Sequence, residues 1–175
     1  YIAFKLTGEV TQELSQGYGH HCFRMRTGEW DMDMCKELGI NPDILPEIYA
    51  SHAVVGTVTK QAAKECGLIE GIPVVAGALD AACGTLGAGV IHPGETQEQG
   101  GQAGGMSICM DEYKADPRLI LGYHVVPGQW LLQGGTTGGG GVMRWFEREF
   151  ADYERSVAGE KGSSLNQLNE IAERV

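Results

Sequence analysis

Basic residues are scarce in this sequence. Its 175 residues hold 13 Lys and Arg against 23 Asp and Glu, a formal net charge of −10. Binding to a nucleic-acid backbone draws on counterion release at a cationic surface, so DNA and RNA are excluded as main partners. A small phosphorylated ligand held by backbone N–H groups is not excluded. No apolar stretch approaches the roughly 18 residues of a membrane-spanning helix, so no membrane partner is expected. No secretory leader is expected from the opening residues. The cysteines Cys22, Cys35, Cys66, Cys83 and Cys109 are odd in number and include no C-x-x-C. A disulfide framework is therefore not expected, and a reducing cytoplasm fits. The five histidines, His20 and His21 among them, show no H-E-x-x-H or Cys/His zinc spacing, so no protein-only metal site is expected. Also missing is G-x-x-x-x-G-K-[ST], which excludes a P-loop. Gly87-Ala-Gly89 does not make a dinucleotide fingerprint.

Glycine, by contrast, is abundant, 27 of 175 residues, and clustered. Ten fall between Gly71 and Gly105, and six of the eight residues from Gly134 to Gly141 are Gly. Without a collagen period, such clusters between apolar runs mark tight turns or backbone that approaches a ligand closely. The 42% hydrophobic content is enough for a real core. Tyr1 is not Met, and the chain opens and closes inside helical patterns, so the expectation is a fragment of a longer protein.

The first third reads as helical, with one helix over Val10 to Cys22 and another over Asp31 to Leu38. A turn follows at Asn41 to Pro46. Val54 to Val58 is an expected strand, and Thr59 an N-cap for a helix over Lys60 to Cys66 that stops at Gly67. Ile72 to Ala76 is a short strand, and Asp80 opens a helix of small residues. After Pro93-Gly94 the period becomes that of strands, over 96–99, 106–110, 119–125 and 130–133. Gly138 to Phe150 returns to helix, with Val142, Met143, Trp145, Phe146 and Phe150 on one expected buried face. Gly159 to Ser164 is a loop before a last amphipathic helix. The class is α/β, with a domain boundary expected near residues 90 to 95.

Three constellations carry chemistry. In Val74-Val-Ala-Gly-Ala-Leu-Asp80, a carboxylate sits where a strand meets a helix, at the carboxyl end of the sheet, where α/β proteins bind ligands. There Asp80 can accept a substrate hydroxyl proton, or simply cap its helix. Gln99-Gly-Gly-Gln-Ala-Gly-Gly-Met106, between two strands, is either an anion-gripping turn or only a turn. Gln133 to Trp145 runs through glycines into an aromatic helix, either to let a nucleotide lie on backbone or as a linker. His20 and His21 with Glu13 either face a polar ligand or sit exposed at a helix end. Trp30 and Trp145 read as core anchors rather than stacking platforms.

Taken in order, these segments resemble the FGGY family of carbohydrate kinases, which includes xylulokinases, gluconokinases and glycerol kinases. Tyr1-Ile-Ala-Phe-Lys-Leu-Thr-Gly-Glu9 is similar to the family's Y-L-x-x-x-L-T-G-E helix end. Arg26-Thr-Gly-Glu-Trp-Asp31, Leu38-Gly-Ile-Asn-Pro-Asp-Ile-Leu-Pro46, Val55-Gly-Thr-Val-Thr59 and Gly71-Ile-Pro-Val-Val-Ala-Gly77 resemble its next landmarks. The resemblance implies a ribonuclease H-like (actin-like ATPase) fold of two domains that close on sugar and ATP. Residues 1–92 would then end the first, sugar-binding domain, and 93–175 would begin the second, nucleotide-binding one.

It further implies ATP-dependent phosphorylation of a sugar, polyol or sugar acid, with Mg²⁺ bridging the phosphates and Asp80 as general base. Gly101, Gln102, Ala103, Gly104, Gly134 and Gly135 would face ATP. Glu13, Gln16, His20 and Asp80 would face the sugar, with no protein metal ligand. These residues alone would be inactive, and a homodimer is compatible with the resemblance. Gln102 and Ala103 depart from the family's usual Thr and Ser, which removes a hydroxyl from that turn and leaves the Gln102 amide as donor. That departure keeps an alternative open, a non-catalytic sugar- or nucleotide-binding relative. An actin-like ATPase is disfavoured by the sugar-kinase landmarks.

Overall fold

The computed structural model describes residues 1–159 and 162–174. Glu160 and Lys161, within the expected loop, and Val175, at the end of the expected last helix, lie outside the described residues. Contacts divide the chain into two compact units, Tyr1–Gln97 with Ser107–Gly134, and Glu98–Met106 with Gly135–Val175.

The first unit begins with helix α1 (Ile2–Thr7), closed by Gly8 at φ +85°. Strand β1 (Thr11–Glu13) runs straight into a 3₁₀ helix over Leu14–Gly19. The α-helix expected over Val10 to Cys22 does not form. The Glu13 carboxylate caps the 3₁₀ turn by accepting Ser15 N–H at 2.9 Å. Gly17 lies against the Phe23 ring, where a side chain would collide. Two glycines and a capping carboxylate thus favour a tight turn over helix.

A short antiparallel ribbon follows, β2 (Phe23–Arg24) with β3 (Glu29–Trp30). Helix α2 (Met32–Glu37) starts on Asp31, whose side chain accepts Met34 N–H. After a 3₁₀ turn at Pro42–Ile44, β4 (Glu47–Tyr49) pairs parallel with β1, placing Glu13 opposite Tyr49. Next comes β5 (Val54–Thr57). Helix α3 (Lys60–Cys66) has the expected Thr59 N-cap, which accepts Ala62 N–H at 3.2 Å, and the expected Gly67 stop at φ +71°. Strand β6 (Pro73–Val75) pairs antiparallel with β5 across a bulge at Val54/Gly56. Helix α4 (Asp80–Gly87) follows.

The second half of the chain opens on the expected strands, β7 (Thr96–Gly100), β8 (Gly104–Met110), β9 (Ile120–Tyr123) and β10 (Trp130–Thr136), in the order β7-β8-β10-β9. In the first unit, Ala82, Val90, Cys109 and Leu131 form a buried core. His124 is buried beside it, with Nε2 2.9 Å from Val90 O and Nδ1 accepting Val126 N–H at 2.8 Å. Trp30 is half-buried and donates to Pro46 O at 2.8 Å.

The second unit holds the tip of the β7–β8 hairpin and helices α5 (Gly140–Phe150), α6 (Asp152–Ala158) and α7 (Ser164–Ala172). The apolar face of α5 is not buried, contrary to expectation. Val142, Met143, Trp145, Phe146 and Phe150 are all exposed, and α5 buries no residue. Its aromatic rings pack on one another instead, Trp145 and Phe146 each about 5.5 Å from Phe150.

Candidate functional site

Asp80 is the first residue of α4, and the N-cap position belongs to Leu79. Asp80 is thus one residue inside the N-cap, yet its carboxylate still takes up an N–H of the first helical turn. Its side chain is exposed, with one oxygen accepting Ala81 N–H at 2.7 Å. The turn that carries it, Ala76 to Leu79, leaves β6 through Gly77 at φ +77°. That conformation suits a residue without a Cβ. Hydrogen bonds from Ala76 N–H to Ala53 O (2.9 Å) and from Gly77 N–H to Ser51 O (3.0 Å) pin the turn.

Beside this turn lies a cleft of about 760 Å³, lined by Glu13 and Gln16, by α1, and by Val74 to Ala78. The structure thus brings Glu13 and Gln16 to one cleft with Val74 to Ala78, whereas Asp80, two residues further on, does not line it. His20 does not line the cleft; its exposed ring lies edge-on to Trp30 at 5.5 Å. Gln16 is exposed, whereas Glu13 is only 6% exposed. The Glu13 carboxylate accepts Ser15 N–H and, at 2.6 Å, the Ser51 hydroxyl on Oε1, and the Ser15 hydroxyl on Oε2. Ser15 Oγ in turn accepts Leu79 N–H at 2.8 Å. Ser15 and Ser51 escaped the sequence reading because 64 and 38 residues separate the members of these contacts, and no spacing rule reaches that far.

In the second unit, Gly101 to Gly104 form the tip of the β7–β8 hairpin, with Gly101 N–H donating to Ala103 O at 2.9 Å. The carbonyls of Gly101 and Gln102 accept the N–H groups of Gly139, Gly140 and Gly141 at 2.7 to 3.2 Å. A Cβ on Gly139 would come within 2.7 Å of the Ala103 backbone, and one on Gly140 within 2.6 Å of Gly101 O. The Gln102 side-chain amide lies over Gly141. These glycines let backbone dock on backbone, so the run into α5 is a packed junction and not a linker. Gly135 sits beside the Gly104 carbonyl, while Gly134, in the first unit, neighbours Leu119.

Residues 1–87 match the profile of the FGGY family of carbohydrate kinases, N-terminal domain. The chain belongs to the FGGY family of carbohydrate kinases. It is 32% identical over 156 residues to the xylulose kinase of Bacillus subtilis, covering 88% of this chain and 31% of that one. It is 31% identical over 178 residues to the autoinducer-2 kinase of Yersinia enterocolitica, covering 100% of this chain and 34% of that one. Among solved structures it is similar to xylulose kinase from Rhodospirillum rubrum, with a TM-score of 0.85 and 31% identity over 100% of this chain and 35% of that one. A gluconate kinase from Lactobacillus acidophilus shares the fold, with a TM-score of 0.79 and 23% identity over 97% of this chain and 33% of that one. The ribonuclease H-like, actin-like class is therefore that of this chain. The chain spans about a third of the length of these FGGY relatives.

Proposed function

We propose that this FGGY segment belongs to an ATP-dependent carbohydrate kinase that phosphorylates a hydroxyl of a sugar, polyol or sugar acid. The observation that carries the reading is Asp80. It is an exposed carboxylate at the start of α4, two residues beyond the Val74 to Ala78 segment that lines one cleft with Gln16. A base so placed takes the proton of the attacking hydroxyl as the O–P bond forms. Phosphoryl transfer asks the protein mainly for positioning and charge stabilisation. Gln16, an exposed polar side chain lining the cleft, is assigned to the sugar hydroxyls, and His20, which lies outside that lining, is not.

Gly101, Gln102, Ala103 and Gly104, with Gly134 and Gly135, are assigned to ATP. The Gly101 and Gln102 carbonyls are consumed by the start of α5, so this assignment rests on the hairpin's remaining N–H groups and the Gln102 amide. Among the described residues no three His, Cys, Asp or Glu side chains converge as metal ligands. Mg²⁺ bound on the ATP phosphates would supply charge neutralisation there. Residues 1–92 and 93–175 are assigned to the sugar-binding and nucleotide-binding domains, a division supported by the family match over residues 1–87. A cytoplasmic location accords with this chemistry, which consumes ATP, and no helix among the described residues is long and apolar enough to cross a membrane.

The test is full-length protein assayed for ADP release against a panel of sugars, polyols and sugar acids. One substrate should turn over. Asp80→Ala should then lower kcat by about 10²- to 10⁴-fold, the usual contribution of a general base, with ATP affinity near wild type. Turnover that survives this change removes the base assignment. Sugar binding by calorimetry without ADP release from any substrate identifies the non-catalytic relative.

A further inference from the structure

We propose that Glu13 is the positioning residue for Asp80, acting through Ser15 and Ser51 rather than on the sugar. The inference rests on the reading of Asp80 as the base. Glu13 ends β1, is buried, and has no cationic side chain among its hydrogen-bond partners. Three donors converge on its two oxygens, from Ser15 N–H, the Ser15 hydroxyl and the Ser51 hydroxyl. A serine hydroxyl has one proton and two lone pairs. Since Ser15 gives its proton to Glu13, its oxygen is left as an acceptor, and it takes Leu79 N–H at 2.8 Å.

The direction of the chain is thereby set, Leu79 N–H to Ser15 O–H to Glu13 carboxylate. Leu79 is the N-cap of α4 and the residue before Asp80, and it has no side-chain cap. The second arm is the Ser51 hydroxyl, donating to Glu13 at 2.6 Å, while the Ser51 carbonyl accepts Gly77 N–H at 3.0 Å. One buried carboxylate therefore holds both serines, and the serines hold the turn on either side of Ala78. The parallel register of β1 and β4, with Glu13 opposite Tyr49, brings Ser51 within reach.

A carboxylate is needed because it only accepts. In Glu13→Gln one oxygen becomes an NH₂ donor. Oε2 is then lost as an acceptor for Ser15, or Oε1 for Ser15 N–H and Ser51. In the full-length enzyme, Glu13→Gln and Ser15→Ala should each lower kcat about 10- to 100-fold, the effect of misplacing a reacting group by a fraction of an ångström to one ångström. KM for sugar and for ATP should stay near wild type. Ser15→Thr, which keeps the hydroxyl, should restore most of the turnover lost in Ser15→Ala. The double variant should be no worse than the worse single, because both cut one chain. Hydrogen exchange in residues 76–79, read by mass spectrometry, should quicken in Glu13→Gln and Ser15→Ala.

The proposal is overturned if KM for the sugar rises while kcat holds, which would make Glu13 a substrate ligand. It is equally overturned if the two losses multiply, or if exchange quickens with kcat unchanged. Turnover that survives Asp80→Ala instead removes the underlying base assignment, whatever the Glu13 variants do.

Discussion

Asp31 shows how much one side chain settles locally. It accepts Arg24 Nε at 2.7 Å and Nη2 at 3.0 Å, and caps α2 through Met34 N–H at 3.1 Å. These donors, the Arg24 guanidinium first, hold its carboxyl down at about 2 against an ordinary 3.8. A depressed acid pKa contributes stability above the unfolded value, and that contribution is lost as pH falls through the folded one. Asp31→Asn should therefore lower the melting temperature at neutral pH and flatten its acid decline between pH 3.8 and about 2. An unchanged acid limb would show that the Arg24 pair is not its source. The helix start was readable from sequence, since Asp before a helical run is a known cap. The Arg24 partner was not, because it depends on how the β2–β3 ribbon folds back seven residues later.

Helix α5 separates two questions that periodicity runs together. The 3.6-residue pattern located the helix to within two residues of its observed start, 140 against an expected 138. The same pattern implied burial, and Trp145, Phe146 and Phe150 are exposed by 47%, 42% and 65%. An apolar stripe reports that a face can be buried, and only the neighbouring elements decide whether it is. Trp145→Ala and Phe150→Ala should therefore cost under about 1 kcal/mol in urea unfolding of these residues, against the ~3–5 kcal/mol of a buried aromatic. A cost in the buried range would mean that the face is covered. The opposite failure occurred in β1 and its 3₁₀ turn. There a plausible helical pattern lost to the Glu13 cap and the Phe23 ring over Gly17, contacts that no local window contains.

His124 ties distant parts of the first unit together, Val90 to Val126 through one neutral ring. Desolvation lowers its pKa below the ordinary 6.5. Here the charged form is the disfavoured one. Its contribution to stability is complete above the unfolded value of 6.5 and falls away as pH drops below it, because the unfolded chain then binds more protons. Wild-type unfolding free energy should therefore decline on acidification from pH 7 toward 5, and His124→Gln should lack that decline. A parallel decline in the variant would assign it to other groups.

Where glycine, proline or a capping side chain acts on its own few neighbours, the order of residues settled the outcome. Thr59 and Gly67 bound α3 as read, the strands after Pro93 appear in their expected order, and the ordered landmarks identify the family. These features depend on sterics and hydrogen bonds among residues close together in the sequence. The fold alone decided which carboxylate is buried and which is exposed. Glu13 and Asp80 are both carboxylates, yet strand pairing, the neighbouring Ser15 and the distant Ser51 enclose the first, and a glycine turn presents the second. Burial and long-range hydrogen bonding are properties of the packed chain, fixed only when segments tens of residues apart meet.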